Sequence, residues 1–379
     1  MIITNIRTHV LEAALSQPFA YARAWYDRRT AMLVEIETND GIIGWGECYG
    51  PAPMTSAVVE SIAPWLIGED PLRTDHLWQA IYARLREHGQ KGVVIQGLSG
   101  IDIALWDIKG KYFGVAVHQL LGGPLRSEVR AYATGLYRRK SGDPQQYLAE
   151  EAASYVSQGF GAVKLKVGFG VEEDAAMTRA VRAAIGRDVA LMIDANHAYD
   201  RLAAIRLGRA IEEHDIGWFE EPVPPEDVAG YRAVKEAIAI PIAGGECEFT
   251  RFGFRDLMMS HAIDIIQPDT CAAGGLSECK KIADMAEAFG IRYNPHVWGT
   301  GIAIAASLQL LAVLPPHTPT SLAPIEPLLE FDRTEHPLRQ AVLKQPIEHG
   351  NGVVRVPDGP GLGIEIDREA LARFAVRAG

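Results

Sequence analysis

The chain is poor in cysteine, and this scarcity excludes some kinds of protein. Only four cysteines occur in 379 residues, and no two of them form a C-x-x-C pair. A disulfide-stapled secreted fold and a structural zinc site both need more closely spaced cysteines. We therefore expect free thiols in a reducing compartment.

Long apolar runs and an excess of positive charge are also lacking. The most apolar run, "GIAIAASLQLLAVL", is too short to span a bilayer, and the first twenty residues do not resemble a secretory signal. The net charge is −11, which argues against nucleic acid or anionic lipid as a partner. The sequence predicts a cytoplasmic protein that binds neither nucleic acid nor membrane.

From about residue 126 onward, short apolar strands alternate with segments of helical periodicity. This alternation predicts a parallel sheet, and the number of units favours a closed β/α barrel over an open doubly wound sheet. No G-x-G-x-x-G follows a strand to indicate a dinucleotide fold. The predicted strands are "RAYATG", "GAVKLKVG", "VALMIDAN", "IGWFEEP", "IPIAGGE", "AIDIIQPD" and "IRYNPHV".

The first part of the chain has a different character. "AMLVEIETNDGIIGWGEC" is typical of a β-hairpin, and "LSGIDIALWDIKGKYFG" is typical of an amphipathic helix that ends at glycine. We expect an α/β protein with an α+β domain at 1–125, a catalytic barrel at 126–330 and a C-terminal segment, 331–379, that rejoins the first domain.

Three predicted strands end in a carboxylate, at intervals of one β/α unit. The three are Asp194, Glu220 and Glu246. In a β/α barrel these positions face the mouth at the carboxyl ends of the strands, where active sites lie. Three converging negative charges repel unless a cation lies between them, and oxygen-only ligands favour Mg²⁺, with Mn²⁺ as the alternative.

The same interval continues with Asp269 and His296, while two lysines precede the carboxylates. A carboxylate beside an imidazole can fix its tautomer and stabilise its protonated form. Lys164 and Lys166 lie two apart on one strand and should project from the same face. We expect nearby positive charge and desolvation to lower the pKa of a lysine there, so that it can act as a base.

Each of these residues has an ordinary explanation when it is taken alone. Either lysine could be a structurally paired residue, Asp194 could cap a helix, and His296 could be a core histidine. Glu221 should be a supporting group, because neighbouring strand residues face opposite ways. Structural roles do not predict that several reactive groups recur at one-unit spacing, so the joint pattern indicates metal-assisted proton abstraction.

The ordered motifs resemble those of the mandelate racemase subgroup of the enolase superfamily. They are "VKLKVG", "MIDAN", "WFEEP", "GGE", "QPD" and "PHVWGTG", with flanking matches in "LSGIDIALWDIKGKYFGVAVHQLLGG" and "VPDGPGLGIEID". The resemblance implies a capping domain over a modified (β/α)7β barrel of the TIM type. It also implies Mg²⁺ on the three carboxylates, Lys166 as one acid/base, the Asp269–His296 pair as the other, and Lys164 near the substrate carboxylate.

Within that subgroup, "DRRTAMLVEIETNDGIIGWGECYGPA" and "PIEPLLEFDRTEHPLRQAVL" resemble the galactarolactone cycloisomerases. Those enzymes open an aldaric acid lactone by β-elimination to a 2-keto-3-deoxy diacid. The implied partner is a small acid sugar or its lactone. The alternatives are an acid-sugar dehydratase, a racemase or epimerase of a 2-hydroxy acid, and a non-catalytic binding protein on the same barrel.

The resemblance also implies a glutamate at the end of the last strand that contacts the substrate carboxylate. Glu330 fits this position, and Glu326 is the alternative. Further substrate-contacting candidates are Asn196, Trp298, Tyr21 and Arg23. Arg28 and Arg29 fit salt bridges within the capping domain better than substrate contacts.

The subgroup assembles into symmetric oligomers. Helix 98–112 contains a tryptophan and carries ample apolar surface, although core packing would account for that surface equally well. We expect a homo-oligomer, either a dimer or a multiple of it.

Overall fold

A computed structural model of the chain describes residues 1–22 and 24–376. The N-terminal part forms a four-stranded sheet in the order β3-β2-β1-β5. Its strands are β1 (Ile3–Tyr21), β2 (Ala24–Thr38), β3 (Ile43–Cys48) and the short β5 (Arg138–Arg139), which comes from later in the chain. β2 and β3 pair antiparallel around Gly41, which has a φ of +79°, so the predicted hairpin is confirmed.

Helices cover one side of this sheet. They are α1 (Ala52–Leu66), α2 (Thr74–Leu85), α3 (Val93–Phe113) and the short α4 (Val117–Leu120). α3 ends at Gly114, whose left-handed φ of 69° lets its N–H close the last turn. A Cβ on Gly44 or Gly46 would overlap the backbone of α3, so glycine at these positions lets helix and strand pack in direct contact.

Eight strands from the middle of the chain form the predicted barrel. They are β4 (Glu128–Thr134), β6 (Ala162–Lys166), β7 (Ala190–Asp194), β8 (Ile216–Glu220), β9 (Ile242–Gly244), β10 (Ile265–Ile266), β11 (Arg292–Tyr293) and β12 (Leu329–Asp332). The seven connecting helices are α5 (Pro144–Ser157), α6 (Val171–Ile185), α7 (Arg201–Ile211), α8 (Val228–Ala237), α9 (Thr250–Met259), α10 (Gly275–Phe289) and α11 (Gly301–Leu311). This order is the expected (β/α)7β arrangement.

The last strand returns to the first, which closes the barrel. β12 pairs in parallel with β4, and each strand from β6 to β11 pairs in parallel with its neighbour along the chain. Between β11 and β12, Leu328 N donates to Asn294 Oδ1 at 2.8 Å. The carboxyl ends of all eight strands therefore surround one mouth.

Period-two alternation places an apolar layer beneath a polar one inside the barrel. Ala162, Met192 and Trp218 pack together in the lower interior. The residue two positions later on each strand faces the same interior one step nearer the mouth. Those residues are Lys164, Asp194 and Glu220, so the site lies directly above packed apolar side chains.

The C-terminal segment contacts both parts of the protein. It contains α12 (Pro337–Ala341), β13 (His349–Gly350), β14 (Val353–Arg355) and α13 (Arg368–Phe374). β14 pairs antiparallel with barrel strand β4, whereas Val376 N donates to Val10 O of β1 at 2.9 Å. The segment thereby ties the N-terminal sheet to the barrel.

No helix in the described part of the chain is long and apolar enough to cross a membrane. All four cysteines lie in that part, and none of them forms a disulfide.

Candidate active site

Lys164 and Lys166 lie on β6 and face the barrel interior. Lys164 aligns with Met192 of β7, and Lys166 aligns with Asp194. Both side chains are buried. Because residues two apart on a strand share a face, the predicted common orientation is confirmed.

The deeper lysine, Lys164, is surrounded by carboxylates. Its Nζ lies 2.6 Å from Glu220 Oε1, 2.8 Å from Glu330 Oε1 and 3.6 Å from Asp194 Oδ2. Burial alone would lower the pKa of this lysine, but the carboxylates of Glu220 and Glu330 outweigh it and hold the pKa well above its ordinary value. Lys164 is therefore a buried ammonium that neutralises the floor of the site.

Lys166 lies one step nearer the mouth and has fewer anionic partners. Its Nζ forms an ion pair with Asp194 and donates to Asn196 Oδ1 at 3.0 Å. Burial lowers its pKa, whereas Asp194 raises it, and the net direction is upward. The expected lowering is wrong for both lysines as they stand, because the surrounding carboxylates together outweigh desolvation; for Lys166 these are Asp194, Glu246 and Glu220.

Asp194, Glu220 and Glu246 come together as the sequence predicts. One carboxylate oxygen from each lies within 4.8 Å of the other two. Asp194 and Glu220 are buried, and Glu246 is partly buried. We call these three residues the carboxylate triad.

The carboxylate triad has too little positive charge around Glu220 and Glu246 to keep the pKa values of these two groups in their ordinary range. Burial, followed by repulsion from neighbouring carboxylates, raises the pKa of Glu220 and that of Glu246 to about 7 each. The pKa of Asp194 is lowered despite burial, because both lysines lie beside it. Hard oxygen donors at this spacing fit a divalent cation such as Mg²⁺, which would supply the missing charge.

Two further side chains hold Glu220, and the sequence did not single them out. Trp218 Nε1 donates to Glu220 Oε2 at 2.9 Å, and Gln267 Nε2 donates to the same oxygen at 2.7 Å. The buried Gln267 Oε1 has no hydrogen-bond partner. Gln267 lies two residues after Ile265 on the inner face of β10, so period-two alternation in "IIQPD" was the signal that could have found it.

His296 and Asp269 form the predicted pair. His296 Nδ1 lies 2.7 Å from Asp269 Oδ2, and Nε2 lies 3.5 Å from Glu246 Oε2. Burial would lower the pKa of His296, but Glu246 and the hydrogen bond to Asp269 raise it to about 10. The imidazole is therefore held as a cation.

Lys166 and His296 contact opposite ends of the carboxylate triad. Lys166 pairs with Asp194 after β7, whereas His296 approaches Glu246 after β9. Two groups that can each carry a proton thus flank the same set of carboxylates.

Of the two candidate glutamates near the last strand, only Glu330 lies in the site. It is buried on β12 and accepts hydrogen bonds from Thr134 Oγ1 at 2.7 Å and Val297 N at 2.9 Å. Lys164 is the main reason that its pKa falls to about 2 despite burial. Because an ionised carboxylate only accepts hydrogen bonds, Glu330 is placed to orient Lys164.

Glu326 lies outside the site, so its assignment as a substrate-binding residue is wrong. Its side chain is 44% exposed and pairs with Arg126 at 2.6 Å. The intervening residues separate it from the inward-facing positions of β12, which begins at Leu329.

Aromatic side chains from the N-terminal part lie over the barrel mouth. The ring of Trp298 lies 6.5 Å from that of Tyr26 and 5.7 Å from that of Tyr137. Tyr21 lies beside Tyr26, with ring centroids 5.7 Å apart. Arg23, a predicted substrate contact, lies outside the described residues.

Tyr137 is a site residue that the sequence did not reveal. Its ring centroid lies 5.4 Å from Lys166 Nζ, and its buried hydroxyl has no hydrogen-bond partner. Tyr137 follows β4 in "GLYRR" and does not belong to a motif that recurs at the strand ends. Its position in the site depends on how side chains pack at the barrel mouth, which the sequence does not show.

Arg28 and Arg29 of β2 both form salt bridges, but only the Arg28 bridge lies within the N-terminal part as expected. Arg28 NH1 lies 2.9 Å from Glu12 Oε1, and Arg29 NH2 lies 2.8 Å from Asp332 Oδ2. Arg29 also lies over the ring of Trp298, with its guanidinium carbon 4.2 Å from the ring centroid. Arg29 therefore holds β2 against the barrel.

Glu47 and Tyr49 also position the N-terminal part over the site. Glu47 accepts hydrogen bonds from Thr300 N, Thr300 Oγ1 and Ala303 N at the start of α11. Burial raises the pKa of Glu47 to about 7 even though these donors lower it. The ring of Tyr49 meets that of His296 edge-on at 5.3 Å.

An α+β cap, a (β/α)7β barrel and a buried carboxylate triad together define the fold and site of enolase-like enzymes. Residues 147–370 match the enolase C-terminal domain-like family, and residues 3–122 match the mandelate racemase/muconate lactonizing enzyme N-terminal domain. The chain belongs to the mandelate racemase/muconate lactonizing enzyme family of the enolase superfamily.

Relatives within this family show which activities occur at similar sequences. The D-galactarolactone cycloisomerase of Agrobacterium fabrum is 52% identical over 374 residues, which cover 99% of each chain. The arabinonate dehydratase of Saccharolobus solfataricus is 38% identical over 88% of each chain. The crystal structure of the 3,6-anhydro-D-galactonate cycloisomerase from Zobellia galactanivorans matches with a TM-score of 0.90 and 42% identity over both full lengths.

Proposed function

We propose that the protein is a galactarolactone cycloisomerase, which opens an aldaric acid lactone to a 2-keto-3-deoxy diacid. The observation that carries this proposal is the placement of Lys166 and His296 at opposite ends of a buried carboxylate triad. The similarity to the Agrobacterium fabrum enzyme supports the lactone as the substrate class.

Asp194, Glu220 and Glu246 would hold the metal ion, for which Mg²⁺ is the expected species and Mn²⁺ the alternative. When bound, the cation supplies positive charge that stabilises the anion formed when a proton leaves the carbon next to a carboxylate. Gln267 and Trp218 hold Glu220 in place through hydrogen bonds to its Oε2. Lys164 supports the same carboxylates from below.

Lys166 is assigned as the base that removes the α-proton; a cation held by the carboxylate triad would offset the negative charge of Asp194 and so lower the pKa of this lysine. In the reaction, the electron pair of the α C–H bond becomes a C=C bond while the β C–O bond breaks. In a lactone the departing oxygen belongs to a carboxylate, so it leaves without needing a proton. The resulting enol then becomes the 2-keto product by losing its hydroxyl proton to solvent and taking up a proton at the former β-carbon.

His296 is assigned as the opposing acid. Its pKa of about 10 keeps it protonated near neutrality, and Asp269 fixes its orientation from the far side of the ring. A protonated imidazole can deliver the proton that the enol takes up.

The mouth residues are assigned to the part of the substrate that does not react. Tyr137 presents a buried hydroxyl without a partner next to Lys166, and a sugar hydroxyl would satisfy it. Trp298 and Tyr21 form the wall above it, and Asn196 keeps Lys166 in position. These contacts would fix which α-hydrogen faces the lysine.

A dehydratase acting on the open-chain acid is the second candidate. The similarity to an arabinonate dehydratase supports it, and so does the protonated His296. Hydroxide is a poor leaving group, so dehydration needs an acid at the leaving oxygen, whereas lactone opening does not.

A substrate panel with Mg²⁺ present separates the two candidates. Aldaric acid lactones, the matching aldaric acids and aldonic acids would each be followed for 2-keto product. We expect turnover of a galactarolactone and little of the open-chain acids. Turnover of the open-chain acids alone would replace the cycloisomerase with the dehydratase, and no turnover of any compound would favour a binding protein.

Glu220→Gln tests the metal assignment. This change should weaken Mg²⁺ binding, measured by calorimetry, and abolish product formation while the circular dichroism spectrum is kept. Glu226→Gln, at an exposed position after the same strand, is the matched control and should bind Mg²⁺ normally. Full activity of the wild type in excess chelator would remove the metal from the mechanism.

Solvent deuterium exchange at the α-carbon tests the division between the two proton-carrying groups. In His296→Asn, a substrate carrying deuterium at the α-carbon should still lose that label to solvent, whereas Lys166→Ala should abolish the loss. The reverse pattern would make His296 the base. Exchange that survives in both variants would overturn proton abstraction by this pair.

The oligomeric state and the compartment stay predictions. The tryptophan of helix α3 does not supply an oligomer surface, because Trp106 is buried and its Nε1 donates to Ser277 Oγ at 2.8 Å, whereas Tyr112 and Phe113 at the end of the helix are exposed. A dimer or a multiple of it is still proposed, and light scattering at assay concentration tests it. The cysteines without disulfides support a reducing compartment such as the cytoplasm.

A further inference from the structure

A second group of ligand-type side chains lies beside the carboxylate triad. His197, Glu221 and Cys247 each offer one ligand atom within 4.8 Å of the other two. Glu221 and Cys247 directly follow two triad members along the chain, and His197 follows the third at a short distance. We call these three residues the mixed cluster.

The mixed cluster is held by direct contacts. His197 Nδ1 lies 2.8 Å from Glu221 Oε2, and the backbone N–H of His197 donates to Glu221 O at 2.8 Å. Glu221 N donates in turn to Ala243 O of β9 at 3.0 Å. The loops after β7, β8 and β9 therefore fix the relative positions of the imidazole and the carboxylate.

One oxygen of Glu221 points to a missing ligand. Glu221 is completely buried, yet its Oε1 has no hydrogen-bond partner. A buried carboxylate oxygen without a partner is costly, because burial removes the water that would otherwise solvate it. A cation bound next to it would satisfy this oxygen.

A cavity gives access to the mixed cluster from outside the barrel. It has a volume of about 480 Å³, and its lining includes Glu221, Cys247, Tyr231 and, from the N-terminal part, Tyr82 and Lys91. An ion could reach the cluster by this route and keep a water molecule as a fourth ligand, as open metal sites do.

We propose that His197, Glu221 and Cys247 form a second metal site, which takes a divalent cation of the zinc class. A nitrogen, a carboxylate oxygen and a thiolate sulfur match the ligands that Zn²⁺, Co²⁺ and Cd²⁺ prefer, whereas Mg²⁺ prefers oxygen alone. The site is separate from the Mg²⁺ site, and its existence does not depend on which reaction the protein catalyses.

The hydrogen bond between His197 and Glu221 does not prevent metal binding, because a cation can replace the proton that these two side chains share. A metal bonded to His197 Nδ1 and Glu221 Oε2 at about 2.0–2.2 Å in tetrahedral geometry would hold these atoms about 3.3–3.6 Å apart, and Oε1 of the same carboxylate could bind the cation as well. The present separation is 2.8 Å, so replacing the shared proton by a cation requires the two atoms to move apart by roughly 0.5–0.8 Å.

Cobalt is the probe for this site, because a thiolate bonded to Co²⁺ gives a charge-transfer band that oxygen and nitrogen ligands do not give. Protein saturated with Mg²⁺ would be titrated with Co²⁺ while absorbance and metal content are measured. We expect the band to rise to one Co²⁺ per chain with Mg²⁺ retained. His197→Gln should weaken Co²⁺ binding by about 100-fold. Changing a group that only orients a metal ligand weakens metal binding by about 10–100-fold, and losing a ligand should cost at least as much.

Cys247→Ser is the decisive variant and should lose the charge-transfer band. Cys48→Ser is its matched control, because Cys48 is buried in the N-terminal part and contacts Gly97 O at 3.8 Å. A band that persists in Cys247→Ser, or that disappears in Cys48→Ser, would overturn the proposal. Circular dichroism and Mg²⁺ binding show whether each variant has kept its fold.

X-ray absorption of the wild type with bound Co²⁺ gives an answer that does not depend on any variant. The expected first shell contains one sulfur and imidazole nitrogen scattering. A shell of oxygen alone would place Co²⁺ in the carboxylate triad and refute the mixed site. The absence of any Co²⁺ binding to the Mg²⁺-saturated protein would refute it equally.

Discussion

Replacing Lys164 by methionine should destabilise the protein more than any change to an exposed lysine. Lys164 Nζ is fully buried and lies within 4 Å of carboxylate oxygens from Glu220, Glu330 and Asp194. Methionine has a similar length but no charge, so Lys164→Met leaves three carboxylates facing one another. Removing one partner of a buried ion pair costs about 3–5 kcal/mol, and we expect a loss in that range.

A second substitution tests whether charge is the cause. In the Lys164→Met background, Glu330→Gln removes one of the stranded anions and should recover about 1–3 kcal/mol, the usual coupling between residues in contact. The new amide can still accept from Val297 N and donate to the Thr134 hydroxyl, so packing at this position is kept.

The assay is urea unfolding followed by circular dichroism, with chelator present so that no metal replaces the lost charge. Lys281→Met is the matched control, because Lys281 is partly exposed and pairs with the exposed Asp75 at 2.7 Å. It should change the free energy of unfolding by less than about 1 kcal/mol. A Lys164→Met loss below about 1 kcal/mol, or strictly additive effects in the double variant, would refute the reasoning.

Two further predictions concern acid stability and the imidazole. Burial raises the pKa of Glu35, but hydrogen bonds from His9 and Arg368 outweigh it and hold the pKa at about 2, below its ordinary 4.5. This lowered pKa contributes stability above about pH 4.5 that is lost as the pH falls toward 2. Glu35 should account for a loss of about 2–3 kcal/mol over that window in urea unfolding, and Glu35→Gln should remove this share of the pH dependence while Glu330 and Asp194, whose pKa values are also lowered, keep theirs. Asp269→Asn should lower kcat by about 10²–10⁴-fold with unchanged Mg²⁺ binding, because the imidazole of His296 loses the carboxylate that orients it. Asp264→Asn, at the other end of β10, is the control and should leave kcat near wild type. Equal losses in both variants would contradict a specific role of Asp269 in orienting His296.

The chemistry at the strand ends could be predicted because its signal is local. Alternation along a strand fixes which residues share a face, and the β/α repeat fixes how often a strand end recurs. The carboxylate triad and the Asp269–His296 pair needed no knowledge of distant contacts. Their proximity follows from the barrel alone.

Features that depend on contacts between distant segments could not be predicted in the same way. The choice between Glu326 and Glu330 depends on where β12 begins, and its bounds are set by pairing with β4, almost two hundred residues earlier. The long strand β1 was missed because its burial pattern alternates only weakly. Its ladder with β2 holds it in place instead.

The direction of the lysine pKa shifts was missed for a related reason. The sequence shows that carboxylates lie near Lys164 and Lys166, but not how many approach each ammonium. That number depends on the register between β6, β7 and β12. Because an added carboxylate can reverse the sign of a pKa shift, the strand register decides whether the pKa of each lysine rises or falls.

The two lysines differ in depth, and this difference explains why the strand carries both. Lys164 lies one step deeper, over the ring of Tyr132, and its three carboxylates leave it no route to the mouth. Lys166 lies over the ring of Tyr137 at the mouth and has Asp194 as its one ion-pair partner among the described residues. The deeper lysine can thus balance the charge of the site permanently, which leaves the upper one free to exchange its proton with a substrate.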